Sequence, residues 1–90
     1  MGTFHKDTHE LHGITVVIDA ADGSLIVGRF HEQDDTHALL LDADTHREGE
    51  GGKSNAQWLA DAAKWGHWPR QKQLFVRLAD IKQLRRLGPL

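Results

Sequence analysis

The dipeptide Asp22-Gly23, set between two apolar runs rich in β-branched residues, constrains this chain more than any other feature. Ile14, Val16, Ile18 and Ala20 alternate with Thr15, Val17 and Asp19, a period of two that predicts a half-buried strand over residues 14–20. Asp-Gly after such a run predicts a hairpin, because glycine adopts the positive φ of a two-residue primed turn without steric penalty. Residues 24–31 then form the returning strand. Gly28 inside it predicts a bulge or sharp bend where another backbone comes close, so the strand curves strongly.

The remaining elements follow from period and punctuation. Residues 31–36, His-Glu-Gln-Asp-Asp-Thr, read as a polar loop, and residues 37–43 as a third strand with Leu39 and Leu41 on one face and Leu40 on the other. Residues 44–53 carry Gly49, Gly51, Gly52 and three acids, the composition of an exposed loop. Ser54 and Gln57 have capping-box spacing, and Gly66 can supply the left-handed residue that ends a helix. Within that helix Trp58, Ala62 and Trp65 stand at i, i+4 and i+7, with Leu59 and Ala63 alongside, so one apolar stripe seeks a partner surface. Trp68-Pro69 closes the excursion. Leu74, Val76 and Leu78 alternate with Phe75 and Arg77 as a fourth strand, and Ala79-Asp80 turn the chain. Ile81, Leu84 and Leu87 recur at a spacing of three, which by itself fits either a short helix or a bent strand.

Ninety residues make a single domain, 1–90, whose thin core makes self-association an expectation. The absence of cysteine excludes disulfides, thiolate metal sites and cysteine nucleophiles, and fits a reducing compartment. No apolar run approaches the roughly 18 to 20 residues that span a bilayer, and the first twelve residues hold no apolar signal segment, so a cytoplasmic location with no membrane partner is expected. The net charge of -2 hides a division: residues 1–50 hold three basic against eleven acidic residues, and residues 51–90 hold eight against two. The halves should therefore pair electrostatically, and any anion site should draw on the C-terminal half.

Several short strands, a glycine bend in the second and a final pair around a tight turn are the pattern of a small, strongly bent barrel. Gly13, Gly23, Gly28, Asp34 and Leu39-Leu40-Leu41-Asp42 match, without a gap, the spacing of the first conserved segment of the Sm-like (Lsm) proteins, which the stretch 13–43 resembles. Residues 75–84, Phe-Val-Arg-Leu-Ala-Asp-Ile-Lys-Gln-Leu, resemble the second segment, in which the Ile81/Leu84 spacing belongs to a bent last strand. The resemblance implies a mostly β fold: a five-stranded, strongly bent Sm-like (SH3-like) barrel with a short N-terminal helix and, here, a helical insertion over about residues 44–73. It also implies a homo-oligomeric ring joined through the fourth and fifth strands, and single-stranded RNA as a partner.

In that family the loop after the second strand and the turn after the fourth meet at a central pore, where a base stacks on a flat side chain and is held by polar groups. Carried onto this sequence, the RNA-binding residues are Asp34, Asp35, Thr36, His37, Arg77 and Asp80. The ungapped register puts Thr36, which cannot stack, at the stacking place; a register shifted by one puts His37 there but sets Leu39 where the family has Asn. Arg77 serves in both as the cation that meets base or phosphate. Ala38 stands where the family carries Asn and Leu78 where it carries Gly, so altered specificity is expected rather than uridine recognition. The rival reading is a homo-oligomeric scaffold that binds no nucleic acid and recognises a protein through the insertion.

His5, His9 and His12 stand at i, i+4 and i+7 and would share a face if residues 3–12 were helical, a spacing that suits a transition metal but equally a solvated terminus; no metal and no cofactor is assigned. The tryptophan stripe most simply covers an open side of the barrel or a subunit seam; with Trp68, Lys64, Arg70 and Lys72 it could instead make an aromatic and basic platform. Gly51-Gly52-Lys53-Ser54 lacks the first glycine of a phosphate-binding loop, no nucleophile motif is present, and no enzyme activity is expected.

Overall fold

The computed structural model describes residues 11–87, and its secondary structure is dominated by five antiparallel strands in one sheet. They are β1 (Thr15–Ala20), β2 (Leu25–Gln33), β3 (His37–His46), β4 (Gln71–Arg77) and β5 (Ile81–Arg86), with one helix, α1 (Asn55–Trp65), between β3 and β4. Short 3₁₀ turns at Glu50–Gly52 and Leu78–Asp80 complete the chain. The spatial order is β4-β3-β2-β1-β5. The expected N-terminal helix, with His5 and His9, lies outside the described residues. His12 sits in a turn, its Nδ1 on the carbonyl of His31, and no group of three metal-ligating side chains occurs among the described residues.

The β1–β2 connection is a hairpin, but of a different turn type from the one expected. Gly23 NH donates to the Ala20 carbonyl at 2.9 Å and Ala20 NH to the Ser24 carbonyl at 3.0 Å, a three-residue loop. Only Gly23 in it has positive φ (93°), so Ala21 and Asp22 take ordinary turn geometry and glycine forms the bulge. Asp22 Oδ1 accepts from the amide and hydroxyl of Ser24, at 2.9 and 2.6 Å, and stiffens the loop.

The sheet bends where its register shifts. Pairing slips on β3 between Leu41 and Asp44, opposite Gly28, and on β2 between Phe30 and Glu32. A third slip, near Ala20, lies within the pairing of β1 with β5. Each bulge adds twist and turns the strand. Asp42, with φ of 51°, marks the β3 bulge, and the missing side chain of Gly28 leaves room for Ala43 above it. One face of the bent sheet encloses Val16, Ile18, Phe30, Leu40 and Ala43, each fully buried, with Leu74 and Val76 of β4 and Ile81 and Leu84 of β5 closing over them from both ends. The opposite face holds Val17, Leu25 and Val27, covered by Trp58 and Leu59 of α1 and by Leu87.

The expected barrel does not close. β4 and β5 lie at opposite ends of the strand order and are not paired, although only Leu78–Asp80 separates them. The reason lies in the bonds of that turn: Leu78 NH donates to the Thr36 carbonyl and Asp80 O accepts from Ala21 NH, both at 2.8 Å. Each end of the turn is thus held by a different hairpin, and the two strands leave along different edges.

Three element boundaries also shift. β2 continues through Gln33, which reduces the expected polar loop to residues 34–36. β3 continues through His46, so Asp44 and His46, expected in an exposed loop, are only 4% exposed. Their polar atoms are satisfied: Asp44 Oδ1 accepts from Thr45 NH and faces Arg70 Nε at 3.6 Å, while His46 Nε2 donates to the Lys53 carbonyl at 3.0 Å. The fourth strand begins earlier and ends at Arg77, with Leu78 in the 3₁₀ turn.

α1 starts as its sequence predicts, Ser54 Oγ accepting from Gln57 NH at 3.1 Å, a cap that contributes about 1 kcal/mol. The reciprocal half of the box is absent, because the Gln57 side chain donates instead to Asp61 Oδ1. Gly66, with φ of 90°, ends the helix and donates to the Ala62 carbonyl. Trp58 stacks on His46 with ring centroids 5.0 Å apart and planes 11° from parallel, which seats α1 on the sheet. The stripe is therefore divided: Trp58 and Ala62 pack, whereas Trp65 is 75% exposed. Asp19 with Arg85, at 3.4 Å, and Asp44 with Arg70 pair the acidic half of the chain with the basic half. No described helix is long and apolar enough to cross a membrane.

Candidate nucleic-acid interface

Two connections meet at one end of the sheet, and four of the six candidate residues lie there within one short turn and its neighbouring strand. The β2–β3 turn is built by Asp34. Its Oδ1 accepts from the amides of Thr36 and His37, both at 2.8 Å, and from Thr36 Oγ1 at 3.2 Å, while Asp34 NH donates to the His37 carbonyl at 2.9 Å. A short carboxylate that folds back on its own backbone closes such a turn without glycine. The amide of Thr36, then that of His37, holds the Asp34 carboxyl below its ordinary pKa, because both bonds favour the charged form.

The hydroxyl of Thr36, donating to Asp34, leaves its lone pairs to accept from His37 Nδ1 at 2.8 Å. This bond orients the imidazole and leaves Nε2 as its remaining hydrogen-bonding atom. The His37 ring meets Phe75 of β4 edge-on, with centroids 6.5 Å apart and planes at 83°. Backbone register places His37 directly across from Arg77, and the Leu78–Thr36 hydrogen bond fixes the second turn against the first.

The site residues are not all brought together. Asp34, His37 and Phe75, with Glu32, Gln33 and Leu39, line a cleft of about 210 Å³. Arg77 and Asp80, with Phe75, line a second cleft of about 430 Å³ that runs under the β1–β2 hairpin beside Ala20 and Ala21. Asp35 is exposed at the tip of its turn. Asp80 accepts from Ala21 NH through its carbonyl and lines the cleft under the hairpin, not the one beside His37. Arg77 is exposed and makes no ion pair among the described residues, which leaves its guanidinium for a ligand.

Two roles differ from the sequence reading. Asp34 spends one carboxylate oxygen on the turn itself, so its first function is to shape the loop. Phe75, read from sequence as one apolar residue of an alternating strand, is 61% exposed and forms a wall common to both clefts. Its position after Leu74 in the alternation was the signal: a residue facing away from Leu74 and Val76 faces away from the core.

The arrangement offers two flat side chains, one oriented imidazole nitrogen, one unpaired guanidinium and several carboxylates. That combination can stack a planar ring and hydrogen-bond its edge, with little charge to spend on a phosphate backbone. No protein-family model matches the chain, and no match is found among curated proteins.

Proposed function

We propose that this chain is a ring-forming, Sm-like protein that binds single-stranded RNA with altered specificity where the β2–β3 and β4–β5 turns meet. The observation that carries the reading is the joining of His37, Phe75 and Arg77 by strand register, with the Leu78–Thr36 bond holding the turns together. Stacking accepts any base and is worth about 1 to 3 kcal/mol each, while His37 Nε2 and the free oxygens of Asp34 and Asp35 can discriminate base edges. His37 and Phe75 supply the flat surface that Thr36 lacks, in keeping with a specificity changed from the family's uridine site.

Assembly is supported by the strand order, which leaves the outer edges of β4 and β5 unpaired at opposite ends of one bent sheet. Joining the β4 edge of one copy to the β5 edge of the next is a heterologous contact, and such contacts close into a ring when the rotation permits. A ring would gather one Arg77 from every subunit. The protein is proposed to work in the cytoplasm, without cofactor or membrane.

Retention of labelled oligouridine and oligoadenosine at two ionic strengths tests the reading. Binding should weaken with salt, and Arg77, the one free cation at this site among the described residues, should contribute about 0.7 to the slope for each phosphate it neutralises. Arg77→Ala should weaken it further and reduce that slope. Retention of neither oligonucleotide would favour the scaffold reading, in which the ring recognises a protein through the helical insertion.

A further inference from the structure

Between Asp61 and Asp80 the chain holds no acidic residue, yet it carries Lys64, Arg70, Lys72 and Arg77. The large apolar side chains exposed among the described residues fall in the same stretch: Trp65 at 75%, Trp68 at 74% and Phe75 at 61%. So much uncovered aromatic surface on a small domain marks a contact site rather than a packing accident.

Folding sets these groups in sequence. Lys64 Nζ lies 5.1 Å from the ring centre of Trp65 at the end of α1. Trp65 and Trp68 then line, with Trp58 and His67, a cleft of about 370 Å³. The cleft also holds two acids, Asp61 paired with Lys53 at 2.6 Å and Asp44 facing Arg70 at 3.6 Å, so it adds little field of its own. From there β4 runs to the loop cluster, a length of about 20 Å, and carries Phe75 and Arg77 on the face opposite Leu74 and Val76. Arg70 pairs loosely with Asp44, and its side chain stays 68% exposed.

We infer that residues 64–77 form a track for single-stranded RNA, in which bases stack on Trp65 and Trp68 while Lys64 and Arg70 lead the phosphates toward the Arg77 cluster. The inference rests on the RNA reading proposed above and extends it to a second contact surface. Ring faces interleaved with cations, on a stretch of chain without acidic residues and beside two acids that are each paired with a cation, are complementary to a stacked, negatively charged strand and indifferent to its sequence. Ring assembly through the β4 edge uses backbone groups, whereas the track uses outward side chains, so the two do not compete.

The test is fluorescence anisotropy of labelled oligoadenosine on the full chain, with Trp65→Ala, Trp68→Ala and Arg77→Ala, beside thermal melting of each. Each tryptophan variant should bind about 5- to 150-fold more weakly, with melting and salt slope as in the parent protein, since neither change removes packing or charge. Tryptophan variants that bind like the parent while Arg77→Ala is weakened would overturn the track and leave the loop-cluster reading standing. Weakening by the tryptophan variants alone would support the track and count against the cluster. An absence of binding by the parent protein would overturn both, and would assign the tryptophans to a protein partner.

Discussion

The Cβ that Gly28 lacks would stand 2.9 Å from the Cβ of Ala43 and 3.2 Å from its Cα, so β3 bulges directly over the backbone of β2. Leu40 Cβ would lie equally close, at 3.2 Å. The backbone of Gly28 does not have positive φ, so alanine there meets a packing problem and not a conformational one. Gly28→Ala should lower stability by about 1 to 3 kcal/mol, the usual range for overpacking, as read from urea denaturation midpoints. An unchanged midpoint would contradict the claim that this contact sets the bend.

The division of the tryptophan stripe predicts opposite outcomes for two residues of one helix. Trp58 packs on His46 and on the face formed by Val17, Leu25 and Val27, so Trp58→Ala should destabilise the protein by about 2 to 4 kcal/mol, somewhat under the range for a fully buried tryptophan. Trp65→Ala should leave melting within about 0.5 kcal/mol of the parent. Equal losses from the two would mean that α1 docks in another orientation.

Asp34 predicts an acid transition local to the site. Its folded pKa is depressed, chiefly by the Thr36 and His37 amides, so the turn is secured above the ordinary value of about 3.9 and released as pH falls through the lower folded value. The Thr36 and His37 amide resonances should titrate together, with a midpoint below that of an unperturbed aspartate. Asp34→Asn retains an acceptor oxygen and should preserve the turn while removing the titration. Amides that move with a midpoint at or above the ordinary value would show that the carboxylate does not hold them.

The sequence made the local devices legible and the long-range ones less so. Asp22-Gly23, Gly28, the Ser54 cap and the Gly66 stop each act within a few residues, and each stands where its chemistry requires. The continuation of β3 through Asp44 and His46 was hidden because buried polar residues look like loop residues until partners outside the strand, Lys53, Trp58 and Arg70, satisfy and cover them. Barrel closure was overestimated for a similar reason: a tight β4–β5 turn suggests neighbouring strands, but the Thr36 carbonyl and the Ala21 amide draw its ends apart. At the site, sequence located both turns, while the pairing of His37 with Phe75 depended on strand register.

Native mass spectrometry of the intact chain, mixed with less than one equivalent of oligouridine or oligoadenosine, tests the central claim most directly. The account predicts a closed homo-oligomer of defined copy number that carries a single strand. A monomer, or an assembly whose mass is the same with and without oligonucleotide, would contradict it.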